Sequence, residues 1–242
     1  MMKKVLITGA TGGIGEALAT AFAKEGYALI LLYGGNHKKA QALKERLLPL
    51  VPVSIHAIDF TLLEELEDGL QSLVEENPPL DVLVHAAGFS HRGFFHELQE
   101  VDYRRLFQIN VDPLHPLMKA FLPGMLQAQK GNILCISSIW GAKAASMEVA
   151  YAMTKGAVEQ FTRSLASELA YMGIRVNAIA PGGVATKMLQ NLSEEEQWVF
   201  QEDIPMGRLA TPEEIAEMAL FLVEKAPYIT GQILTMDGGY TL

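Results

Sequence analysis

Residues 5–15 read VLITGATGGIG, an apolar run that passes directly into a glycine-rich turn, and an Ala-rich helical pattern follows it. Glycines at positions 9, 13 and 15 allow the backbone to turn sharply off a strand, to approach a phosphate closely and to pack a helix against a sheet. The N–H groups and the positive end of that helix would face the phosphates. A glycine-rich turn is often only a turn, but its place at the first strand-to-helix connection predicts a dinucleotide site.

Short apolar or β-branched runs alternate with longer helical patterns along the chain, as in repeated βαβ units. The predicted strands lie near 3–8, 28–33, 52–57, 81–86, 132–137, 174–179 and 232–236, and the predicted helices near 13–25, 37–48, 62–76, 103–128, 150–171 and 212–224. We therefore expect one α/β domain over residues 1–242, a doubly wound (Rossmann) parallel seven-stranded sheet with helices on both faces. Ligands of such sheets bind beyond the carboxyl ends of the strands.

One segment, residues 187–208, lacks a clean apolar period and follows Pro-Gly-Gly at 181–183. An insertion at the carboxyl edge of a doubly wound sheet is a candidate substrate lid. The alternative is an ordinary surface helix.

The composition limits the partners. Of the 242 residues, 50% are hydrophobic, and the net charge of −9 disfavours nucleic acid and anionic membrane surfaces. No apolar run is long enough to span a bilayer. Cys135 is the only cysteine, which excludes an intramolecular disulfide and favours the cytoplasm. The histidines show no metal-ligand spacing. We expect no nucleic acid, no membrane and no metal.

The end of the second predicted strand reads LYGGNHKK over residues 32–39 and carries no acid. An Asp or Glu there would bind the ribose of NAD and repel the extra phosphate of NADP. Asn36 can donate to a phosphate, and Lys38 and Lys39 lie near it, so we predict a preference for NADP(H) over NAD(H). Alternatively, both lysines are only solvated helix residues. Asp59 could accept from the adenine amino group or cap the helix that begins near residue 62.

A catalytic set is indicated by Tyr151 and Lys155, which are four residues apart in a helical pattern and so share a helical face. A neighbouring cation stabilises a phenolate and lowers its pKa. Ser138 follows a predicted strand and would place a hydroxyl at the carboxyl edge of the sheet. Asn110 lies within an apolar helical pattern, where Asn is disfavoured, and it could bind water or satisfy a backbone carbonyl.

These elements resemble the ordered motifs of the short-chain dehydrogenase/reductase family. The matching elements are TGATGGIG at 8–15, AAG at 86–88, Asn110, Ser138, Tyr151, Lys155 and PG at 181–182. The resemblance implies that Tyr151 donates the proton to a carbonyl oxygen and that Ser138 positions that oxygen. It implies that Lys155 binds the nicotinamide ribose and lowers the tyrosine pKa, and that Asn110 holds a water that links Lys155 to solvent. It also implies that Val184 and Thr186 contact the nicotinamide half.

Taken together, the expected cofactor contacts are Gly9, Thr11, Gly12, Gly13, Ile14, Gly15, Asn36, Asp59, Phe60, Ala87, Gly88, Tyr151, Lys155, Pro181, Gly182, Val184 and Thr186. The expected substrate contacts are Ser138, Trp140, Met147 and Met188, with Ser90, Phe94 and Leu189 as further walls. The chain departs from the family at one position, where His85 replaces the usual Asn of Asn-Ala-Ala-Gly. Imidazole offers one donor and one acceptor, so a structural role is expected for it.

The C-terminal sequences YITGQ at 228–232 and DGG at 237–239 resemble bacterial 3-oxoacyl-[acyl-carrier-protein] reductases, which implies a homotetramer and a β-keto thioester or β-keto ester substrate. Members of fatty-acid synthesis dock the acidic carrier through arginines, but this chain has Gln129, Lys130 and Met172 at the matching positions, and its acidic charge opposes that partner. A dedicated fatty-acid enzyme, a catalytically silent NADP-binding regulator and an extended epimerase stay as alternatives. A serine hydrolase is disfavoured because no Gly-x-Ser-x-Gly surrounds Ser138.

Overall fold

The computed structural model of the protein describes residues 2–76, 79–187, 189, 195 and 200–242, with the backbone alone at 63–65 and 76. The strands are β1 (Lys4–Thr8), β2 (Ala28–Tyr33), β3 (Val53–Ala57), β4 (Val82–His85), β5 (Gly131–Ile136), β6 (Ile174–Pro181) and β7 (Ile233–Met236). The helices are α1 (Gly13–Lys24), α2 (His37–Leu47), α3 (Leu63–Glu76), α4 (Glu100–Asn110), α5 (Leu114–Ala128), α6 (Val149–Leu169) and α7 (Pro212–Glu224).

The strands form one seven-stranded sheet in the order β3-β2-β1-β4-β5-β6-β7, and every neighbouring pair is parallel. The predicted doubly wound fold is confirmed. The chain winds outward from β1 to β3 and then returns to the other side of β1 at β4. That reversal opens a crevice at the carboxyl ends of β1 and β4, where ligands of such sheets bind.

Alternation along the buried strands builds a core on each face of the sheet. In β1, Val5 and Ile7 belong to the core that contains residues of α1, α2 and α7, whereas Leu6 belongs to the core that contains residues of α3, α5 and α6. Helix α4 packs against α6. The helices on both faces hold the sheet rigid beneath the crevice.

The prediction of one helix over 103–128 was wrong, because the structure has two helices separated by residues 111–113. The main-chain N–H groups of Val111 and Asp112 both donate to the Phe107 carbonyl, so α4 ends in a widened turn. Pro113 then begins α5 as its N-cap, where its missing N–H costs little. Asn110 is therefore the last residue of α4, and it does not lie in the middle of a helix as the sequence pattern suggested.

The candidate lid over 187–208 is described only in part, and Met188 lies outside the described residues. Phe200 packs on Tyr240, with ring centroids 5.0 Å apart, and the Met206 N–H donates to the Gly238 carbonyl. The described end of the segment thus rests on the C-terminal residues. Closure over substrate stays a prediction.

Across the described ranges, no helix combines the length and apolar character that a membrane span requires.

Candidate active site

The glycine-rich turn between β1 and α1 depends on space that only glycine leaves. Gly9 has a φ of 65°, and a Cβ there would lie 2.6 Å from the Ala87 Cα, so a side chain would be strained and would clash. A Cβ at Gly15 would meet the Gly9 carbonyl oxygen. Gly12 caps α1 without any side-chain hydrogen bond, so the first turn of α1 keeps its N–H groups for another acceptor. The turn fits the diphosphate of a dinucleotide.

The other side of this turn is held by Lys39 from α2. Its ammonium donates to the Thr11 carbonyl at 2.7 Å and pairs with Glu16 at 2.9 Å. Lys39 lines the cleft, whereas Lys38 is exposed. Asn36 caps α2 by accepting from the Lys39 N–H at 3.0 Å, which leaves its amide NH₂ as the group that could meet a phosphate. A positive charge therefore lies at the end of the cleft where the sequence lacks an acid.

The carboxylate of Asp59 bonds to Thr61, which lies before α3, so these bonds form a local turn and do not cap the helix. One carboxylate oxygen accepts from the Thr61 N–H at 2.9 Å and from the Thr61 hydroxyl at 2.8 Å, just ahead of α3. The adenine contact stays a prediction, as does any cofactor contact by Phe60, whose ring stacks on His85 with centroids 6.5 Å apart.

Helix α6 brings Tyr151 and Lys155 to the opposite wall of the cleft. The Lys155 ammonium lies 5.6 Å from the centroid of the Tyr151 ring and donates to the Ile136 carbonyl at 2.9 Å. Ser138 follows β5, and its hydroxyl accepts from the Trp140 N–H at 3.3 Å. All three functional side chains are buried, at 4–8% exposure. The predicted set meets at one place.

Burial dominates the ionisation of these groups. Desolvation raises the pKa of Tyr151, with a smaller contribution from the Glu148 carboxylate, while a hydrogen bond with Ser138 opposes the rise. The lowering by Lys155 that the resemblance implies is therefore not the net effect, because burial disfavours the charged phenolate. Desolvation also lowers the pKa of Lys155 to about 8. At neutral pH the phenol is protonated, which suits a proton donor.

Asn110 is completely buried, and both N–H groups of its side-chain amide donate hydrogen bonds. The amide nitrogen donates to the Phe89 carbonyl and to the Thr154 hydroxyl, both at 2.9 Å, and the amide oxygen accepts from the Phe89 N–H at 2.8 Å. Both donors are in use, so a water could be held only by an oxygen of this residue. The side chain ties the segment after β4 to α6.

One cleft of about 480 Å³ joins the two walls. Of the predicted residues it is lined by Thr11, Gly12, Gly13, Ile14, Gly15, Gly88, Ser90, Ser138, Tyr151, Lys155, Pro181, Gly182, Val184, Thr186 and Leu189. The cleft lining does not include Gly9, Asn36, Asp59, Phe60, Ala87, Phe94, Asn110, Trp140 or Met147. The last two belong to the surroundings of the site.

Sequence reasoning missed lining residues that follow strand ends. Lys187 and Phe89 continue the predicted segments after β6 and β4, while Ile136 is the last residue of β5 and Ser137 lies between it and Ser138. Their position at the carboxyl edge of the sheet was the available signal. Ser137 also donates to the Glu159 carboxylate at 3.3 Å, which ties this edge to α6.

Two predicted substrate residues, Trp140 and Met147, lie outside the cleft lining. Trp140 meets Tyr240 edge to face, with centroids 5.9 Å apart. Met147 has a φ of 64°, a left-handed conformation that is costly for a side-chain-bearing residue, and its carbonyl accepts from the Gly93 N–H at 2.8 Å. This bond ties the loop after β4 to the start of α6.

Two further features of the described residues bear on other kinds of site. These residues contain no group of three or more His, Cys, Asp or Glu that could hold a metal ion. A second cavity, of about 190 Å³, lies beside Arg208 and Glu214, which are paired with each other at 2.7 Å.

The chain is similar to known proteins in both sequence and fold. A family model described as "Enoyl-(Acyl carrier protein) reductase" matches residues 9–241. The chain belongs to the short-chain dehydrogenase/reductase family. It is 41% identical over 242 residues to the uncharacterised oxidoreductase YmfI of Bacillus subtilis, covering 99% of each chain.

Two further relatives carry more specific descriptions. The 3-oxoacyl-[acyl-carrier-protein] reductase FabG of Aquifex aeolicus is 34% identical over 240 residues, with 98% of this chain and 96% of the relative covered. A variant of actinorhodin polyketide ketoreductase, solved with NADPH, superposes with a TM-score of 0.91 at 30% identity over 99% of this chain and 97% of the other. The chain is thus an oxidoreductase of this family along its whole length.

Proposed function

We propose that the protein is an NADP(H)-dependent oxidoreductase that interconverts a ketone and a secondary alcohol, with a β-keto thioester or β-keto ester as substrate. The observation that carries the proposal is the meeting of Ser138, Tyr151 and Lys155 with the glycine-rich turn in one cleft. A catalytic donor and a dinucleotide site face the same space, which is what hydride transfer to a carbonyl requires.

The proposed roles follow from chemistry and burial. The bound nicotinamide supplies or accepts the hydride. Tyr151, kept protonated by burial, gives its phenolic proton to the carbonyl oxygen in reduction. Ser138 holds that oxygen, and Lys155 binds the ribose hydroxyls and supplies a positive charge beside the phenol. Asn110 ties the Phe89 segment to α6 and fixes the wall on which both residues stand.

The proposed preference for NADP(H) rests on Lys39. Its ammonium already lies over the turn, 2.7 Å from the Thr11 carbonyl, and no acid follows β2 to repel a 2′-phosphate. The pairing with Glu16 means that a phosphate would have to compete for this cation. Two relatives of known structure were solved with NADP or NADPH bound, which is consistent with this choice.

The substrate is proposed to be a small thioester or ester in preference to a carrier-bound one. Arg175, one of two basic residues near the family's carrier-docking position, donates to the carbonyls of Leu222, Val223, Ala226 and Ile229. The other, Lys130, pairs with Asp81 at 3.3 Å. Both charges are engaged within the subunit, so neither is well placed to attract an acidic carrier.

We also propose a homotetramer in the cytoplasm. Strand β7 forms an edge of the sheet, and Tyr228 is fully exposed close to it, with Phe221 of α7 47% exposed. An apolar face beside an open strand edge suits contact with a second copy. Sedimentation analysis tests this assembly. The buried free thiol of Cys135 is compatible with a reducing compartment.

The direct test is NADPH oxidation with acetoacetyl-CoA and with a free β-keto ester. Tyr151→Phe should lower turnover by about 10²-fold or more, the loss expected when a general acid is removed. The matched control is Tyr171→Phe, since Tyr171 is 94% exposed and lies outside the cleft. Unchanged turnover in Tyr151→Phe would remove the proposal. NADPH binding without turnover of any carbonyl compound would favour the silent regulator.

A further inference from the structure

His85 is a buried imidazole at the end of β4, and its protein neighbours use both of its nitrogens. Nδ1 lies 3.1 Å from the Thr8 hydroxyl, and Nε2 lies 3.3 Å from the Asn110 main-chain carbonyl. The side chain is 1% exposed. It therefore bridges the last residue of β1 and the last residue of α4, two elements that border the cleft.

The hydrogen bonds around Thr8 determine which nitrogen carries the proton. The Thr8 hydroxyl oxygen accepts from the N–H of Ala86 at 3.1 Å and from the N–H of Ala87 at 3.0 Å. These two bonds occupy its acceptor sites, so its own proton is directed to Nδ1 of His85. Nδ1 must then be the acceptor, and Nε2 carries the hydrogen that it donates to the Asn110 carbonyl.

The surroundings of His85 do not favour a second proton on its imidazole ring. An N–H on Nδ1 would face a hydroxyl that has no remaining acceptor site, and the charged groups nearby do not help. Burial disfavours the charged imidazolium, and the positive charge of Lys155 repels it. Together they lower the pKa of His85 to about 4. Cys135 lies opposite His85 on β5, and burial raises the pKa of its thiol to about 12, so it supplies no negative charge.

The acceptor on α4 is available because of how that helix ends. In a continuous helix the Asn110 carbonyl would accept from the N–H of Leu114, but that N–H donates to the Val111 carbonyl. The widened turn at the end of α4 thus frees the Asn110 carbonyl for the imidazole of His85.

We propose that His85, as a neutral Nε2–H imidazole, is a positioning residue that holds Asn110 and through it the catalytic wall. The main chain of Asn110 is fixed by His85, and its side chain is bonded to Phe89 and to Thr154, which lies on α6 next to Lys155. His85 also fixes the start of the Ala86–Gly88 segment through Thr8. The effect on catalysis rests on the proposed function, whereas the tautomer does not.

The tautomer is tested by NMR of ¹⁵N-histidine-labelled enzyme, in which the His85 signals are those lost in His85→Asn. The expected spectrum shows a neutral ring protonated at Nε2 that stays neutral from pH 7.5 to pH 5. An Nδ1–H ring, or a ring that titrates within that range, would overturn the proposal. The result does not depend on whether any substrate is turned over.

The positioning role is tested with His85→Leu and His85→Gln, since a Gln amide can offer an N–H where Nε2 stands. We expect kcat to fall at least tenfold in His85→Leu and to return to within threefold of the native value in His85→Gln. The NADPH dissociation constant is measured for both variants, so that a change in the Ala86–Gly88 segment is distinguished from the effect on kcat. If His85→Leu does not fold, His85→Asn replaces it, because its shorter amide meets Thr8 but does not reach Asn110, and its kcat should fall below that of His85→Gln.

A double-mutant cycle with Asn110→Ala separates positioning from general stability. If His85 acts through Asn110, His85→Leu should lower kcat less than twofold in the Asn110→Ala background. A tenfold loss in both backgrounds, or a folded His85→Leu variant with native kcat, would contradict the role. If the native protein reduces no carbonyl compound, the proposed function fails, and a shift of the Asn110 amide resonances in His85→Leu then decides the contact alone.

Discussion

The two walls of the cleft are built in different ways. The wall after β1 is made of backbone: Gly9, Gly12 and Gly15 provide the space, and Lys39 is the charged side chain that lines it. The wall after β5 and on α6 is made of buried polar side chains, among them Ser138, which are held by hydrogen bonds that cross between elements. The first wall offers backbone N–H groups and one ammonium, which suit the binding of phosphates. The second wall carries the reactive groups.

Because the two walls are built differently, cofactor binding and proton transfer should respond to different substitutions. Added volume should damage the backbone wall, because its atoms have no room to move. Removal of a polar atom should damage the side-chain wall, because a partner is then left buried and unpaired.

Gly9→Ala tests the backbone wall and should have the largest effect. The φ of 65° and the Ala87 Cα 2.6 Å from the new Cβ lead us to expect a loss of roughly 3 kcal/mol in the free energy of unfolding, or no folded protein. Gly34→Ala is the matched control, because a Cβ there meets nothing within 4 Å. Urea denaturation of both variants checks this. Equal stability of the two would refute the steric argument.

The buried imidazole of the side-chain wall predicts a loss of stability in acid. The pKa of His85 is about 4 in the folded state against an ordinary 6.5, so the unfolded state binds the proton first as the pH falls. The contribution is complete above pH 6.5 and declines towards pH 4, by about 2 to 3 kcal/mol near pH 4.5. Denaturation of the native protein and of His85→Asn across this range isolates the effect. Parallel curves would show that His85 does not contribute.

Lys39→Ala tests the charge on the backbone wall. Removal of the ammonium should weaken NADPH binding about tenfold, which corresponds to about 1.4 kcal/mol, and should leave NADH binding nearly unchanged. Lys38→Ala controls for net charge, because Lys38 is exposed on the same helix and does not line the cleft. Isothermal titration with both nucleotides measures the ratio. A similar loss for NADH would mean that Lys39 only supports the turn through Thr11.

The smallest effect is expected when the CoA thioester is compared with the carrier-protein thioester as substrate. Because Arg175 and Lys130 are engaged within the subunit, kcat/KM for acetoacetyl-CoA and for the acetoacetyl carrier protein should agree within about tenfold. The comparison is made at low and at moderate ionic strength. A larger preference for the carrier that collapses with salt would assign the enzyme to fatty-acid elongation.

The sequence predicted the sheet and the reactive set because both leave local patterns. Strand positions follow from apolar runs, and Tyr151 and Lys155 follow from a four-residue spacing on a helix. The break in 103–128 had a signal in the sequence, Pro113, since proline ends or begins a helix, whereas the shared Phe107 carbonyl is visible only in the structure. The local turn that Asp59 forms with Thr61 was not among its two predicted roles, because such side-chain bonds to nearby backbone compete with helix capping.

The sequence also could not predict pKa shifts or hydrogen bonds that depend on residues far apart in the chain. The sequence suggested that Lys155 lowers the pKa of Tyr151, but the depth of burial, which depends on the whole fold, reverses the net direction. The engagement of Arg175 at the end of α7 likewise joins residues 47 to 54 positions apart. Such contacts arise only when the whole chain is folded.

The central claim is that one wall binds the cofactor and the other performs the proton transfer. Its most direct test is single-turnover hydride transfer followed by stopped flow in Tyr151→Phe and Lys39→Ala, with the NADPH dissociation constant measured for both. We predict that each variant changes a different quantity. Tyr151→Phe should transfer hydride about 10²-fold more slowly and keep the native NADPH affinity. Lys39→Ala should bind NADPH about tenfold more weakly and should transfer hydride at the native rate once it is saturated with NADPH. Parallel loss of affinity and rate in both variants would contradict the division.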